Sequence, residues 1–187
     1  MTTAGRFLRH QGPSVRADDF GFQDDPGPTL ERAFGNIHLH RMQDVPLCNH
    51  ALRVEAVGFR RTDDGWLGVL VTPWSMNVML LPARGAHWTH MLLGAKRWQS
   101  LPSGTYEVFG STEEGVGEYH YFSLFSPMAG FASQDEARSI AKAALALLVD
   151  PDTAEKIDAP ATKESRDESR DRSRRDFLFG RFPSTRH

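Results

Sequence analysis

The chain has 187 residues, of which 40% are hydrophobic and 25% are charged, and its formal net charge at pH 7 is -2. This length suits one domain with short appendages, and the balanced charge argues against a general nucleic-acid binder, which needs a cationic excess. No apolar run reaches the ~18 residues that cross a bilayer, so membrane insertion is not expected. Because Cys48 is the single cysteine, an internal disulfide is excluded and a reducing, cytoplasmic setting is favoured.

Composition divides the chain into three zones. Residues 1–27 are interrupted by glycine, proline and aspartate, and we expect them to form a flexible N-terminal arm. Residues 28–150 hold most of the aromatic and branched side chains and are predicted to form the folded domain. Residues 151–187 are mostly polar with interspersed charges of both signs, a composition that cannot offset the entropy of ordering. We predict that this zone is a disordered linker ending in a basic and aromatic docking peptide.

Two segments show helical periodicity. Pro28 at the first turn, followed by apolar residues at helical spacing, predicts a helix over residues 28–42. Ser133 and Glu136 have the spacing of a capping box, which predicts the start of a second helix. The Asp-Pro pair at 150–151 is expected to end it.

The chain between these helices is typical of strands joined by turns. Alternating apolar and charged residues begin a strand at Leu52, and residues 63–65 (Asp-Asp-Gly) are a hairpin turn signal. The other predicted strands cover residues 66–71, 76–81, 105–110 and 118–125. We therefore predict an α+β fold: a mainly antiparallel sheet of about five strands, with an N-terminal and a C-terminal helix packed on one of its faces.

The proline-bracketed segment 72–82 is a candidate binding surface. Proline cannot donate a hydrogen bond to a neighbouring strand, which indicates a sheet edge or a bulge, and Trp and Met side chains at such edges are common anchors of interfaces. An apolar stretch at 88–93 could extend the same patch. The candidate contact residues are Pro73, Trp74, Met76, Asn77 and Trp88. The alternative is that these side chains belong to the ordinary core.

The C-terminal peptide is a second candidate contact. Residues 173–182 read Ser-Arg-Arg-Asp-Phe-Leu-Phe-Gly-Arg-Phe, and hydrophobic residues that end a polar tail usually dock on the body or on a partner. The residues predicted to dock are Arg174, Arg175, Phe177, Leu178, Phe179, Gly180 and Arg181. The first six letters also resemble a twin-arginine export motif, but they lack a following apolar region and lie at the wrong end. A charge run with incidental aromatic residues is the alternative.

Motifs that carry chemistry are scarce. The sequence has no glycine-rich phosphate loop, no Gly-x-Ser-x-Gly elbow and no His-Glu-x-x-His helix. The rival hypothesis is a small metal carrier or enzyme that uses His38, His40, Cys48 and His50. A metal needs three or four ligands, whereas histidines two apart on a helix point to different faces, and apolar neighbours favour an inert Cys48. We predict no catalytic residue, no metal site and no cofactor.

Seven short pieces of sequence together carry a family resemblance. They are VEAVGF (54–59), GWLGV (65–69), VTPW-x-MN (71–77), LP (81–82), LPSG (101–104), SLFSPM (123–128) and RR-x-x-LFGR (174–181). In this order they resemble the HybE/HupJ-type assembly chaperones of [NiFe] hydrogenase. Some members of that family carry a fused rubredoxin, and this chain lacks the Cys-x-x-Cys pairs that a rubredoxin requires.

The resemblance implies an accessory chaperone of the cytoplasm that is not an enzyme. The first implied partner is the precursor of the hydrogenase large subunit, which receives the metal cofactor. The resemblance also implies the small-subunit precursor, which carries a twin-arginine signal, and other maturation proteins as partners. Shielding an immature metal centre from oxygen is a further implied role. A generic adaptor whose tail closes over its own sheet is the third hypothesis.

Overall fold

The structure is a computed structural model that describes residues 14–150. Helix α1 covers Gly27–Ile37 and helix α2 covers Gln134–Val149. The strands are β1 (Ser14–Arg16), β2 (Glu55–Thr62), β3 (Gly65–Val71), β4 (Met76–Leu81), β5 (His87–Thr89), β6 (Lys96–Leu101), β7 (Gly104–Glu113) and β8 (Gly117–Phe125).

The main sheet has six antiparallel strands in the order β2-β3-β4-β8-β7-β6, and β1 and β5 form a separate two-stranded sheet. The predicted α+β fold with a mainly antiparallel sheet is confirmed. The prediction of about five strands did not include β6. That strand lies at the sheet edge and reads Lys-Arg-Trp-Gln-Ser-Leu, so it lacks the apolar alternation that marks the central strands.

The central strands β3 and β4 are apolar on both faces. Successive side chains of a strand point to opposite sides, so Val69 joins the core cluster that contains α2 residues, whereas Leu70 joins the cluster that contains α1 residues. The two helices therefore lie on opposite faces of the sheet. The expectation that both helices share one face is wrong, because a strand that is apolar on both sides has to be covered on both sides.

Part of the predicted N-terminal arm is packed on the domain. Strand β1 pairs with β5, Ala17 is fully buried, and the backbone of Phe22 exchanges hydrogen bonds with Pro82 and Arg84. The predicted arm is therefore wrong for residues 14–27. These contacts use backbone groups, which a composition rich in glycine and proline does not reveal. The predicted linker and docking peptide lie outside the described residues.

Both predicted helices are confirmed. Pro28 occupies the first turn of α1, and a π-helical turn over His38–Met42 continues that helix. The Ser133 Oγ accepts a hydrogen bond from the Glu136 backbone N–H at 3.2 Å, which caps the start of α2. The Glu136 carboxylate accepts from the Ala132 N–H, one residue earlier than a standard capping box would place it.

A partly buried ion pair joins β2 to α2. Arg138 donates to both carboxylate oxygens of Glu55, and Gln134 Nε2 donates to Glu55 Oε2 at 2.6 Å. Partial burial by itself would raise the pKa of Glu55, but the hydrogen bonds from Arg138 and Gln134 outweigh it, and the pKa is lowered. The ionised carboxylate therefore stabilises the contact between the helix and the sheet edge.

We expect the Glu55→Gln variant to be less stable than the parent chain at neutral pH, with a difference that shrinks in acid. A carboxyl whose pKa is lower in the folded state stabilises the fold above its unfolded pKa, and this contribution is lost as pH falls through the folded pKa. Thermal unfolding across the acidic range measures the convergence. The control is Asp135→Asn, which removes the exposed partner of the same arginine; parallel curves for parent and Glu55→Gln would contradict the assignment.

Candidate functional site

A cleft of about 410 Å³ opens on the face of the sheet against which α1 packs. We call it the aromatic cleft. The described residues that line it are Phe34, Trp74, Ser75, Asn77, Met79, Ser111, Tyr119, Tyr121, Ser123 and Ser126. None of these ten side chains is a carboxylate, an amine, an imidazole or a thiol. The lining therefore offers aromatic surface and hydroxyl groups, a combination that suits an apolar segment of polypeptide.

Aromatic contacts connect α1 to the floor of the cleft. The rings of Phe34 and Tyr119 meet edge to face with centroids 6.1 Å apart, and the Tyr119 and Tyr121 centroids are also 6.1 Å apart. Burial raises the pKa of Tyr119, so its hydroxyl stays protonated and remains a hydrogen-bond donor. Tyr121 is only half-buried, which leaves part of its surface open to a ligand.

The turn between β3 and β4 holds Trp74 in place. Thr72 Oγ1 donates to the Ser75 backbone oxygen at 2.8 Å and accepts from the Ser75 N–H at 2.9 Å. The Thr72 N–H also donates to the Ser75 oxygen at 2.8 Å, and both residues are buried. Trp74 at the tip is half-buried, and its ring centroid lies 6.0 Å from that of His38. The indole is therefore presented from a rigid support.

Asn49 is a supporting residue that the sequence motifs did not single out. Its backbone N–H donates to the Pro73 oxygen at 2.8 Å, and its side-chain Nδ2 donates to the backbone oxygens of Met128 and Phe131 at 3.0 and 2.7 Å. It thereby links the β3–β4 turn to the loop before α2. An isolated asparagine in a loop carries no sequence signal for such distant partners.

The structure separates the candidate contact residues of segment 72–82. Trp74 and Asn77 line the aromatic cleft. Pro73 is buried in the β3–β4 turn and β4 is a central strand, so the predicted sheet edge is wrong. The alternative of a bulge agrees with the pairing of β4 with β8, which shifts register between Met76 and Asn77. Met76 is fully buried on the α2 side and cannot be an exposed anchor, because β4 directs alternate side chains to opposite faces.

Trp88 is also a core residue. It is only 3% exposed and stacks on His120, with ring centroids 4.2 Å apart, in the cluster on the α2 side. Burial lowers the pKa of His120 to about 4, so its ring is neutral at physiological pH. The neighbouring Glu118 carboxylate holds the loop that follows β5, since it contacts the His90 Nδ1 at 2.7 Å and accepts from the Met91 N–H at 2.6 Å. The predicted exposed patch is therefore wrong for Trp88.

Other large apolar side chains are exposed beside the sheet. Leu92 and Leu93 are 81% and 75% exposed in the loop before β6, and Trp98 in β6 is 64% exposed. Lys96 is paired with Phe109, which is paired with Tyr121 in turn, so these three side chains share the cleft's face. Trp98 is two residues after Lys96 and lies on that face as well. The sequence argument missed Trp98 because it had missed β6.

The residues of the metal-carrier hypothesis do not converge. Among residues 14–150, no group of three or more His, Cys, Asp or Glu side chains could hold a metal ion. His40 and His50 are exposed, and His38 lies beside Trp74. Cys48 is buried, its Sγ donates to the Met42 oxygen at 3.2 Å, and burial raises the pKa of its thiol. The described geometry gives this hypothesis no support.

The docking residues between Arg174 and Arg181 lie outside the described residues. Within the part of the chain that the structure describes, neither helix has the length and apolar character needed to cross a membrane.

We expect the Thr72→Val variant to be less stable by about 1–3 kcal/mol, because the buried Ser75 N–H would lose its partner. Denaturant unfolding measures the loss. Thr62→Val is the matched control: Thr62 is exposed and its Oγ1 donates to the Gly65 oxygen in the β2–β3 turn, so water can reach the hydroxyl. Equal stability changes in the two variants would contradict the supporting role of Thr72.

Several known proteins are similar to this chain in sequence. Protein HoxT of Cupriavidus necator is 38% identical, over 81% of this chain and 87% of that protein. The hydrogenase expression/formation protein HupJ of Bradyrhizobium diazoefficiens is also 38% identical, over 82% of this chain and 87% of the relative. The probable rubredoxin HupJ of Rhodobacter capsulatus is 44% identical, but the match spans 60% of this chain and only 40% of that longer protein.

A solved structure and a family model agree with these relatives. The solution structure of HybE from Escherichia coli superposes with a TM-score of 0.58 at 23% identity, over 91% of this chain and 96% of that chain, which shows a shared fold. The model of the family described as [NiFe]-hydrogenase assembly, chaperone, HybE matches residues 25–180. The chain therefore belongs to the HybE family of [NiFe]-hydrogenase assembly chaperones.

Proposed function

We propose that this chaperone binds the precursor of a [NiFe]-hydrogenase subunit in the cytoplasm, before the subunits assemble, and that the large-subunit precursor is its client. The observation that carries the proposal is the aromatic cleft, with Trp74 held at its rim by the buried Thr72–Ser75 hydrogen bonds. The small-subunit precursor and other maturation proteins are further partners of the same assembly. The client's unfinished surface would occupy the cleft until the client's sister subunit binds that surface in place of the chaperone.

The lining of the cleft favours reversible binding of an apolar segment. Trp74 and Tyr121 offer apolar surface, while Ser123 and Asn77 offer hydrogen bonds to the polar backbone of a bound peptide. Because no charged group lines the cleft among the described residues, binding does not require burying an ion. A chaperone has to release its client, so a contact without buried ion pairs suits the task.

We propose that the protein acts by covering the client and not by catalysis. The cleft lining lacks the nucleophile and base pairs that covalent catalysis uses. A client segment held against the cleft would be withdrawn from solvent, and this would also limit access of oxygen to an immature metal centre nearby. The C-terminal docking residues, from Arg174 to Arg181, would form a second contact with the client, and two linked contacts raise avidity through effective concentration.

We expect Trp74→Ala to lower client affinity by about 2 kcal/mol, on the order of thirtyfold, because a large aromatic anchor is lost. Titration calorimetry with purified large-subunit precursor measures the change, and the same titration with small-subunit precursor identifies the preferred client. Leu47→Ala is the control, since Leu47 is exposed but does not line the cleft. A folded Trp74→Ala variant with unchanged affinity for both precursors would exclude the cleft as the client site.

Deletion of residues 173–187 is expected to reduce client affinity on the order of a hundredfold by removing the second contact. The control deletion, 183–187, keeps every predicted docking residue and should bind the client as the full chain does. Because Arg174 and Arg175 would form charge-assisted bonds, the difference should shrink as salt concentration rises. Equal co-purification of client with the two shortened chains would contradict a role for the tail.

A further inference from the structure

We propose that, when no client is bound, residues 177–182 of the same chain occupy the aromatic cleft and the sheet face beside it. The inference rests on the proposed client site and concerns its state before a client arrives. The segment reads Phe-Leu-Phe-Gly-Arg-Phe and belongs to the portion of the chain outside the described residues.

The surface available to this segment extends beyond the cleft. Met79 in β4 is paired with Tyr121 in β8, and Tyr121 is paired with Phe109 in β7. Phe109 is in turn paired with Lys96 in β6. The rings of Tyr121 and Phe109 are in contact, with centroids 5.8 Å apart. We call Tyr121, Phe109 and Trp98 the aromatic strip. It continues from the floor of the cleft to the β6 edge of the sheet.

The length of the segment matches that of the surface. Neighbouring strands are about 4.8 Å apart, so the three steps from β4 to β6 cover ~14 Å. Six residues in an extended conformation span at most about 20 Å. The segment 177–182 can therefore reach from the cleft to the exposed indole of Trp98 without folding back on itself.

The chemistry of the segment also matches. Its phenylalanines can pack against the rings of the strip in the offset and edge-to-face arrangements that aromatic pairs favour. The strip already accommodates a cation, because the Lys96 ammonium lies 4.8 Å from the centroid of Phe109 while bonded to Glu107 at 3.0 Å. Arg181 would make the same kind of contact with the exposed face of Trp98, for which guanidinium is well suited.

The intervening chain is long enough to bring the segment there. Helix α2 ends at Val149 on the opposite face of the sheet. A random coil as long as residues 151–176 has a root-mean-square span of ~28 Å, and a domain the size of residues 14–150 has a radius of gyration of about 14 Å. Tethering of this kind gives effective concentrations on the order of millimolar, so a contact with a millimolar dissociation constant would be about half occupied.

Docking of this strength would cover exposed aromatic surface and still yield to a client. Competition at half occupancy lowers apparent client affinity only about twofold, much less than the loss expected on removing a second contact. Displacement by the client would free the tail at the moment when it can bind that client. The tail would thus leave the cleft of its own chain and bind the client's surface.

A spin label at the end of the tail tests the proposal on the full chain without any client. The label is attached through Ser184→Cys in a Cys48→Ser background, and the four indole N–H signals are followed by NMR. We expect the Trp98 signal to weaken most, because Arg181 and the neighbouring label would lie against that indole. Phe177→Ser, Leu178→Ser and Phe179→Ser together should restore that signal.

The matched control replaces Ala154, Ala159 and Ala161 in the preceding segment with serine and should leave the signal loss unchanged. Uniform weakening of all four signals, or a loss that persists in the triple serine variant at 177–179, would overturn the proposal. A loss that disappears on dilution would also overturn it, because it would show binding between two copies of the chain. Each of these results would leave the client titrations, and the proposed function, to be judged separately.

Discussion

The structure depends on the need to cover a sheet whose central strands are apolar on both faces. A helix with its side chains is about 10 Å across and covers roughly two strands, whereas six strands span about 24 Å. On one face, α2 is supplemented by Trp88, Met91, Met128 and Phe131, which complete the core. On the other face, α1 has only 11 residues and covers the β2–β4 side. The aromatic cleft lies where that cover ends.

This geometry explains how a small domain keeps aromatic surface open without losing its fold. Trp74 is presented by the β3–β4 turn, whose polar groups are satisfied internally, so no bound partner is needed to hold it in place. Large exposed apolar surface is also an aggregation hazard. Hydroxyl groups around the cleft, together with the proposed docking of residues 177–182, would reduce that hazard while the client is absent.

Both the fold class and the family were accessible from the sequence, for identifiable reasons. The runs 66–71 and 76–81 are apolar because both of their faces are buried, and the Ser133 cap marks the start of α2 by a local hydrogen bond. The strands at the edges of the fold could not be predicted from the sequence. Strands β1 and β5 are three residues each and pair through their backbones, and β6 carries polar residues at the sheet edge. None of the three strands therefore shows a clear hydrophobic pattern in the sequence.

For the candidate site, too, some features could be predicted from the sequence and others could not. By itself, the sequence determined which segments alternate, which turns close hairpins and which tryptophans lie near prolines, because these depend on neighbours within a few residues. Only the tertiary structure decided that Trp74 lines a cleft whereas Trp88 stacks on His120 inside the core. Burial of a tryptophan depends on what the rest of the chain packs over it, and α1, α2 and the loop after β5 are distant in sequence from the strands that they cover.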